Sequence, residues 1–298
     1  MPAKSDGAVS AELARTAWSA LEPLHALIYF TPEAEPGYAE IGLEARTGAA
    51  YFASRSAAMG AVGPGPVAAA FYNFNPALVA SVLPEAWRTA PPERVVRARF
   101  AVADRALSAA LGPELLDSPG LAEAAELART AALGAAGHGY GRPLYAGHAD
   151  LDWPESPHLV LWHAATLIRE FRGDGHVALL AQAGVDPAEA LVTHVAAGPY
   201  KASTLRRTRA WSEQDWAAAV DRLAGRGLVE AGGDPEAPVF TDAGRKLREE
   251  LERRTDELSV PAFAALGAEG TARLAELAAP LRDAVLAAGV LPGTRRKR

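Results

Sequence analysis

Two stretches near the C-terminal end decide the predicted fold: "WSEQDWAAAVDRLAGRGLVE", residues 211–230, and "PVFTDAGRKLREELERRTDEL", residues 238–258. In the first, Ser212 stands directly before a helical run and Asp215 follows it by three residues, the spacing of a helix N-cap. The runs "LVE" and "VFT" flank an acidic turn, and we interpret them as two short strands. A long charged helix is predicted from Asp242 to about Leu258.

The order of these predicted elements, together with the composition of the rest of the chain, indicates the fold class. A short helix is predicted over residues 201–208, and helix, helix, strand, turn, strand and long helix is the order of a winged helix-turn-helix. Alanine and leucine dominate the remaining sequence, which favours helix. We therefore predict an all-α protein with a helical ligand-binding domain at residues 1–184. A winged-helix domain with a small two-stranded wing and C-terminal helices follows at residues 185–298.

Two short motifs carry a family resemblance. "LAGRGLV" at residues 223–229 and "FTDAG" at residues 240–244 resemble the winged-helix part of MarR-type regulators, over about residues 191–258. This resemblance implies a DNA-binding regulator that forms a homodimer through its terminal helices, and Leu247, Leu251 and Leu258 mark one stripe of the long helix. The whole chain also resembles an actinobacterial family of helix-turn-helix proteins, and this second resemblance implies no particular activity.

The charges of this region depart from the regulator pattern. The predicted recognition turn contains Glu213 and Asp215, and the predicted wing is acidic without a lysine or arginine. Carboxylates facing phosphates oppose DNA binding. The compensating basic side chains, which we predict to contact DNA, are Lys201, Arg206, Arg207 and Arg209. The pattern leaves two interpretations open: a DNA-binding winged helix, and one used for packing or dimerisation.

A second informative stretch is "WHAATLIREFRGDGH", residues 162–176. At helical spacing His163, Thr166 and Glu170 form one polar stripe with Arg169 beside it, and the other sides are apolar. The helix is therefore predicted to be buried nearly all round and to end at a "GDG" turn. Its stripe is either a satisfied core network or the wall of a ligand pocket.

The surroundings of this stripe favour the pocket. Six of the seven histidines fall within residues 138–194, beside an aperiodic segment of glycine, proline and aromatics at residues 137–157 that we predict to be a functional loop. Residues 51–75 offer a second wall, where Arg55 suits a carboxylate or phenolate, although ordinary core packing would explain its aromatics equally well. The predicted ligand-binding residues are Tyr51, Arg55, Tyr72, Asn73, Asn75, His163, Thr166, Arg169, Glu170 and His176.

Composition limits the chemistry. The 298-residue chain has no cysteine, which excludes disulfides, thiol catalysis and zinc-thiolate sites. Its net charge is −6 although residues 295–298 read "RRKR". No HExxH motif is present, and we predict neither a metal nor a cofactor, with a site at His163, Glu170 and His176 as the metal alternative. The sequence contains no apolar run long enough to predict a membrane span, and we expect a cytoplasmic protein.

These observations lead to three functional hypotheses. The first is a ligand-responsive transcriptional regulator that binds a small, aromatic or anionic molecule. The second is an enzyme of specialised metabolism whose winged helix no longer binds DNA, with an active site around His163, Arg169 and Glu170. The third is a ligand-binding or structural dimer without chemistry.

Overall fold

The computed structural model describes residues 7–44, 48–198 and 200–294, so the basic stretch at residues 295–298 lies outside the described residues. The described part is helical, as the sequence predicts, and none of its helices is both long and apolar enough to cross a membrane. The α-helices are α1 (Ala11–Ala26), α2 (Ala34–Ala39), α3 (Ala49–Ser56), α4 (Pro64–Phe71), α5 (Pro76–Thr89), α6 (Pro92–Leu116), α7 (Pro119–Gly134), α8 (Pro143–Ala149), α9 (Pro157–Gln182), α10 (Pro187–Ala197), α11 (Ala202–Arg209), α12 (Glu213–Gly225), α13 (Asp242–Ser259) and α14 (Gly267–Ala287). Short 3₁₀ segments lie at Leu27–Tyr29, Ala57–Met59, Ala136–His138 and Val260–Leu266.

Side-chain caps fix several helix starts. The Ser10 hydroxyl accepts a hydrogen bond from the backbone N–H of Leu13 at the start of α1. Asp186 with Glu189 and Ser212 with Asp215 form full capping boxes at α10 and α12. Each cap satisfies N–H groups that have no partner inside the helix. The prediction of a capped start at Ser212 is thereby confirmed.

The helix α9 continues through residues 173–175, so the predicted "GDG" turn is wrong. A Cβ on Gly175 would lie 2.8 Å from Nη1 of Arg142. The Asp174 carboxylate accepts a hydrogen bond of 3.0 Å from the backbone N–H of Tyr145. The glycine therefore provides room for Arg142, the residue that directly precedes α8, at a cost of roughly 1 kcal/mol in helix propensity.

The predicted loop at residues 137–157 is also largely wrong. It holds the end of a 3₁₀ segment and the whole of α8, and only residues 150–156 connect α8 to α9 without a helix. A Cβ on Gly147 would lie 2.9 Å from the carbonyl oxygen of Ala58, so α8 approaches other backbone closely. A helix this short, with glycine at a contact point, has too little periodicity to be recognised in sequence.

The chain divides into two compact units. The first unit comprises Met1–Val62, Glu85–Gly175 and Asp256–Arg298, and the second comprises Gly63–Pro84 and His176–Thr255. These discontinuous units differ from the contiguous ranges 1–184 and 185–298, which remain a prediction about domain organisation. The first unit is organised around one large apolar core that buries residues of α1, α6, α7, α9 and α14.

In the second unit, Trp216 is the central core residue. Its side chain is fully buried among Leu191 of α10, Leu223 of α12 and Phe240. Its indole N–H donates to the carbonyl of Pro235 at 2.8 Å. The helices α10, α11 and α12 thus share one apolar core, and they follow one another along the chain in the order of the predicted helix-turn-helix.

The predicted two-stranded wing is not formed as strands. Among the described residues the segment after α12 makes a single antiparallel bridge, between Val229 and Phe240. The bonds beside this bridge run from the N–H of Glu230 to the carbonyl of Val239 at 2.9 Å and from the N–H of Thr241 to the carbonyl of Leu228 at 3.2 Å, and turns begin directly after Glu230. The acidic segment therefore closes as turns instead of a hairpin.

The surfaces that would pair two copies of a MarR-type regulator are largely covered within this chain. Leu251 of α13 is buried in the second unit with Leu179 and Leu180. The helix α14 packs against α1 and α7 of the first unit and buries Leu274 and Leu281. Of the three leucines in the predicted stripe, Leu251 is buried, Leu247 is half-buried and Leu258 is exposed. Dimerisation stays a prediction.

Candidate functional site

A buried ion cluster lies at the centre of the first unit. Nε and Nη2 of Arg55, on α3, each donate to a carboxylate oxygen of Glu170, on α9, at 2.9 Å. Nη1 of Arg169 donates to the same carboxylate at 2.7 Å, and its Nε lies 3.9 Å from Glu22. Glu170 is 0% exposed. The structure thus brings together the predicted residues Arg55, Arg169 and Glu170.

Two guanidinium groups keep Glu170 ionised. Burial alone would raise the pKa of this carboxyl, but Arg169 and Arg55 hold it well below its ordinary value. Burial raises the pKa of Glu22, and the charges of Arg169, Arg55 and Arg172 oppose this shift only in part. Breaking a buried ion pair by removing one partner costs about 3–5 kcal/mol. Glu170 is therefore suited to holding α3 against α9, and Arg169 extends the cluster to Glu22 of α1.

Thr166 connects the cluster to α1. Its hydroxyl lies 3.0 Å from Nδ1 of His25 and donates to the carbonyl of Trp162 at 3.0 Å. Because the single hydroxyl proton is used at Trp162, Nδ1 of His25 is the donor. Burial and the charge of Arg169 lower the pKa of His25 well below its ordinary value. Its Nε2 is a buried acceptor for which the described residues offer no partner.

Arg99 of α6 is the functional candidate that the sequence analysis missed. It is 1% exposed, and its Nη1 donates to the Tyr29 hydroxyl at 3.2 Å and to the Ser54 carbonyl at 3.4 Å. Its guanidinium carbon lies 5.6 Å from the ring centre of Tyr29 and 5.0 Å from that of Trp162. Among the described residues, neither its Nε nor its Nη2 has a hydrogen-bond partner. Helical spacing from Val95 and Val102, both buried, was the available signal.

Two neutral histidines lie in the same unit. Burial first, and then the charge of Arg99, lowers the pKa of His148 to about 3 and that of His163 to about 4. Both side chains are 1% exposed, and within the described residues Nε2 of each lacks a partner. The His163 ring packs against Trp153 at 4.8 Å and Phe100 at 5.5 Å between ring centres.

Those two aromatic residues also line a pocket. It has a volume of about 640 Å³ and its wall includes Phe100, Leu151, Trp153 and Leu159. Small-molecule sites typically measure roughly 300–1,000 Å³ and are mostly apolar. Trp153 comes from the segment between α8 and α9, so part of the predicted functional loop does line a pocket. His163 lies behind this aromatic wall.

Asp174 is a further unusual titrating group. Burial raises its pKa to about 7, although backbone N–H groups at Tyr145 and Leu144 oppose the shift. Nearby, Arg142 donates to the carbonyl oxygens of Phe171 and, at 3.1 Å, Leu258. A carboxyl group that titrates near neutrality can accept or release a proton under physiological conditions.

The other predicted ligand residues divide between the units. Tyr51 lies in the first unit with its ring 5.2 Å from that of Tyr29. Tyr72, Asn73, Asn75 and His176 belong to the second unit. There the Tyr72 hydroxyl donates to Val185, Asn73 accepts from Trp211, Asn75 caps α5, and His176 bonds to Thr255 at 2.9 Å.

The predicted DNA-contacting residues differ in availability. Arg206 donates to Glu236 at 2.6 Å and to Glu213 at 3.1 Å, so carboxylates of its own unit neutralise it. The guanidinium of Arg209 lies 4.5 Å from the ring centre of Phe74. Lys201 and Arg207 are exposed. Two of the four cations therefore already have local interactions.

Comparison with known proteins gives one match. A model described as a helix-turn-helix family matches residues 14–292. No curated protein and no solved structure matches the chain. Within the described residues, no three histidine, aspartate or glutamate side chains are placed to hold a metal ion.

Proposed function

Because the chain belongs to this helix-turn-helix family, we propose that it is a DNA-binding transcriptional regulator that responds to a small molecule. The helix-turn-helix of the second unit binds DNA, and the first unit binds the ligand. The observation that carries the proposal is the arrangement of α10, α11 and α12 around the buried Trp216 in a chain that belongs to this family.

The charges of the second unit limit how this DNA binding works. The N-terminal turn of α12 offers Glu213, Gln214 and Asp215, which are poor partners for phosphates. Exposed Lys201 and Arg207 supply the cations that remain available. We therefore expect weak binding that depends steeply on salt and is carried mainly by phosphate contacts.

The ligand part of the proposal rests on the first unit. Its pocket of about 640 Å³ is lined by aromatic and aliphatic side chains together with Glu93, Arg97 and Asp152. Behind it, buried polar atoms without described partners lie on Arg99 and His163. Buried polar groups in proteins nearly always have partners, which a bound molecule or water supplies where the chain does not. The predicted ligand is a small aromatic or anionic molecule.

Selection of DNA from a random duplex library tests the regulator proposal. Full-length protein is incubated with the library, bound duplexes are sequenced, and affinities are measured at 50 and 200 mM salt, concentrations that span roughly the range over which phosphate contacts weaken. Enrichment of a motif, with affinity that falls at higher salt, is expected. If no duplex is retained at the lower salt, the proposal is wrong.

An enzyme of specialised metabolism is the second candidate. Two observations favour it: the acidic start of α12, and the pKa of buried Asp174 at about 7. Its active site would lie around His163, Arg169 and Glu170. Comparing metabolite extracts before and after incubation with wild type and with His163→Gln tests it. A compound consumed only by the wild type supports catalysis, and identical extracts oppose it.

Two expectations from the sequence apply to either candidate. The MarR-type resemblance implies a homodimer, and a cytoplasmic location is part of the proposal. Light scattering of the full-length protein at micromolar concentration tests the first expectation. A dimer that neither binds DNA nor changes any metabolite would favour the third hypothesis, a ligand-binding or structural protein.

A further inference from the structure

The buried Arg99 has no counter-ion among the described residues. Three other largely buried arginines of the first unit have a carboxylate: Arg55 and Arg169 share Glu170, and Arg172 donates to Asp256 at 2.8 Å. Arg142 instead donates to two carbonyl oxygens. In the described part of the chain, Arg99 forms no ion pair and donates only to a hydroxyl and a carbonyl. A buried cation without an anion is unfavourable, and proteins nearly always pair one.

The free edge of Arg99 has a template in the same unit. Arg55 binds both oxygens of the Glu170 carboxylate with its Nε and Nη2. In Arg99 the same two nitrogens are buried and, among described residues, have no partner. This edge of a guanidinium matches a carboxylate in a bidentate geometry. The chemistry that completes Arg99 is therefore that of a carboxylate.

The surroundings of Arg99 also suit an anion. Its guanidinium lies over the Trp162 ring, whose buried indole N–H has no partner in the described residues and can only donate. The nearby imidazoles of His148 and His163 are neutral, so neither histidine carries a positive charge beside Arg99. The neighbourhood combines a fixed positive charge with an additional donor.

An apolar compartment adjoins this charge. Trp162 contacts both Arg99 and, at 5.2 Å between ring centres, Phe100. Phe100 and Trp153 line the pocket of about 640 Å³, and His163 packs on both rings. A molecule with an acidic end and an apolar body fits these two neighbouring environments.

We propose that Arg99 binds the carboxylate of a small organic acid whose aromatic or alkyl body occupies the Phe100–Trp153 pocket. This inference rests on the ligand-binding part of the proposed function and names its ligand class. It does not depend on DNA binding. Arg99 is a ligand-binding residue here, with no bond made or broken.

Binding of simple carboxylates to the full-length protein tests the inference. The probes are acetate, benzoate and 1-naphthoate, with 1-naphthamide as the uncharged counterpart of nearly the same shape. Calorimetry and melting temperature are the measurements. We expect 1-naphthoate to bind and to raise the melting temperature, and 1-naphthamide to bind at least roughly tenfold more weakly because it lacks the charge. If none of the three carboxylates binds better than the amide, the inference is wrong.

Variants identify the arginine that is responsible. Arg99→Met removes the charge and keeps most of the side-chain volume, so 1-naphthoate affinity should fall at least roughly tenfold. Arg105→Met is the matched control, since Arg105 is an exposed arginine of the same helix and does not line the pocket. Unchanged affinity in Arg99→Met, or an equal loss in Arg105→Met, would overturn the assignment. Should Arg99→Met not fold, Arg99→Gln is measured in the same way.

The melting temperature without ligand separates a ligand site from a structural one. If Arg99 serves a ligand, Arg99→Met should melt at the wild-type temperature or above it, because a buried unpaired charge has been removed. A large drop in melting temperature with unchanged naphthoate affinity would make Arg99 a structural residue. Failure of DNA selection with naphthoate binding intact would reject the regulator and leave this inference standing. DNA binding without any carboxylate binding would reject the inference alone.

Discussion

The buried cluster of the first unit and the helix-turn-helix of the second use arginine in opposite ways. In the first unit, Arg99 is buried and lacks a carboxylate among the described residues. In the second, Arg206 lies near the surface, where it binds Glu213 and Glu236. Of these two arginines, the one without a carboxylate is thus the one in the interior, where an unpaired charge is least expected. The number of arginines in a segment is therefore a poor guide to the positive charge it offers.

The two environments also differ in how much an ion pair contributes to the stability of the fold. A solvent-exposed ion pair contributes about 0–1 kcal/mol, because water and salt screen it. A buried pair cannot be replaced by water, and loss of one partner costs several kcal/mol. Arg206 can exchange its carboxylates for a phosphate at small cost, whereas Glu170 cannot release Arg55. Four predictions test this contrast, beginning with the largest effect.

Glu170→Gln should have the largest effect, lowering the free energy of unfolding by about 3–5 kcal/mol, because two buried guanidinium groups lose their anion. Urea denaturation at neutral pH measures the change. The surface pair Arg253–Glu250, 2.6 Å apart and exposed on both sides, provides the control. Glu250→Gln should change stability by less than about 1 kcal/mol. Similar losses in the two variants would contradict the contrast.

Acid should destabilise the protein through its buried histidines. In the unfolded chain His148 and His163 take up protons near their ordinary value of 6.5, but in the folded protein the pKa is about 3 and about 4. The unfolded state therefore binds more protons over this interval, and stability falls as pH drops through it. Each histidine contributes on the order of a few kcal/mol between neutral pH and pH 4.

Urea denaturation at pH 7.5 and pH 5 measures this dependence. His163→Gln should reduce the difference between the two pH values, because the variant has no imidazole to protonate. The exposed His138 is the matched control, and His138→Gln should leave the difference unchanged. An equal effect of the two substitutions would show that burial of His163 is not the cause.

Freeing Arg206 should strengthen DNA binding slightly. The double variant Glu213→Gln, Glu236→Gln removes both carboxylates that bind Arg206, and affinity should rise by a few fold, equivalent to about 1 kcal/mol or less per pair. Fluorescence anisotropy with a labelled duplex measures the affinity. Glu230→Gln is the control, since Glu230 is an exposed acidic residue near the turn that makes no described bond to Arg206. An equal gain in the control would assign the effect to net charge alone.

The smallest expected effect is on the salt dependence. Arg207→Ala removes an exposed cation of α11, which should weaken binding to all duplexes alike and reduce the slope of log affinity against log salt by about 1. Anisotropy titrations at several salt concentrations give this slope. Loss of affinity for one sequence only would instead identify Arg207 as a base-reading residue.

The sequence determined the features that depend on neighbouring residues. The helical class follows from composition, and the capped starts at Asp186 and Ser212 follow from side chains three residues apart. The order of α10 to α13 is equally local. The polar stripe of α9 was visible because helical periodicity places His163, Thr166 and Glu170 on one face.

Tertiary structure alone decided which polar groups meet. In the sequence, Gly173 and Gly175 predict a turn, but in the structure α9 continues through both. Arg142 occupies the space that a side chain at Gly175 would fill. Among the described residues the predicted wing forms a single bridge, between Val229 and Phe240, and turns follow directly after Glu230. Arg55 and Glu170 are 115 residues apart in sequence, and Arg99 looked like any charged residue of a helix. Whether a buried charge finds a partner depends on groups brought together from distant helices, and no local pattern specifies their distances.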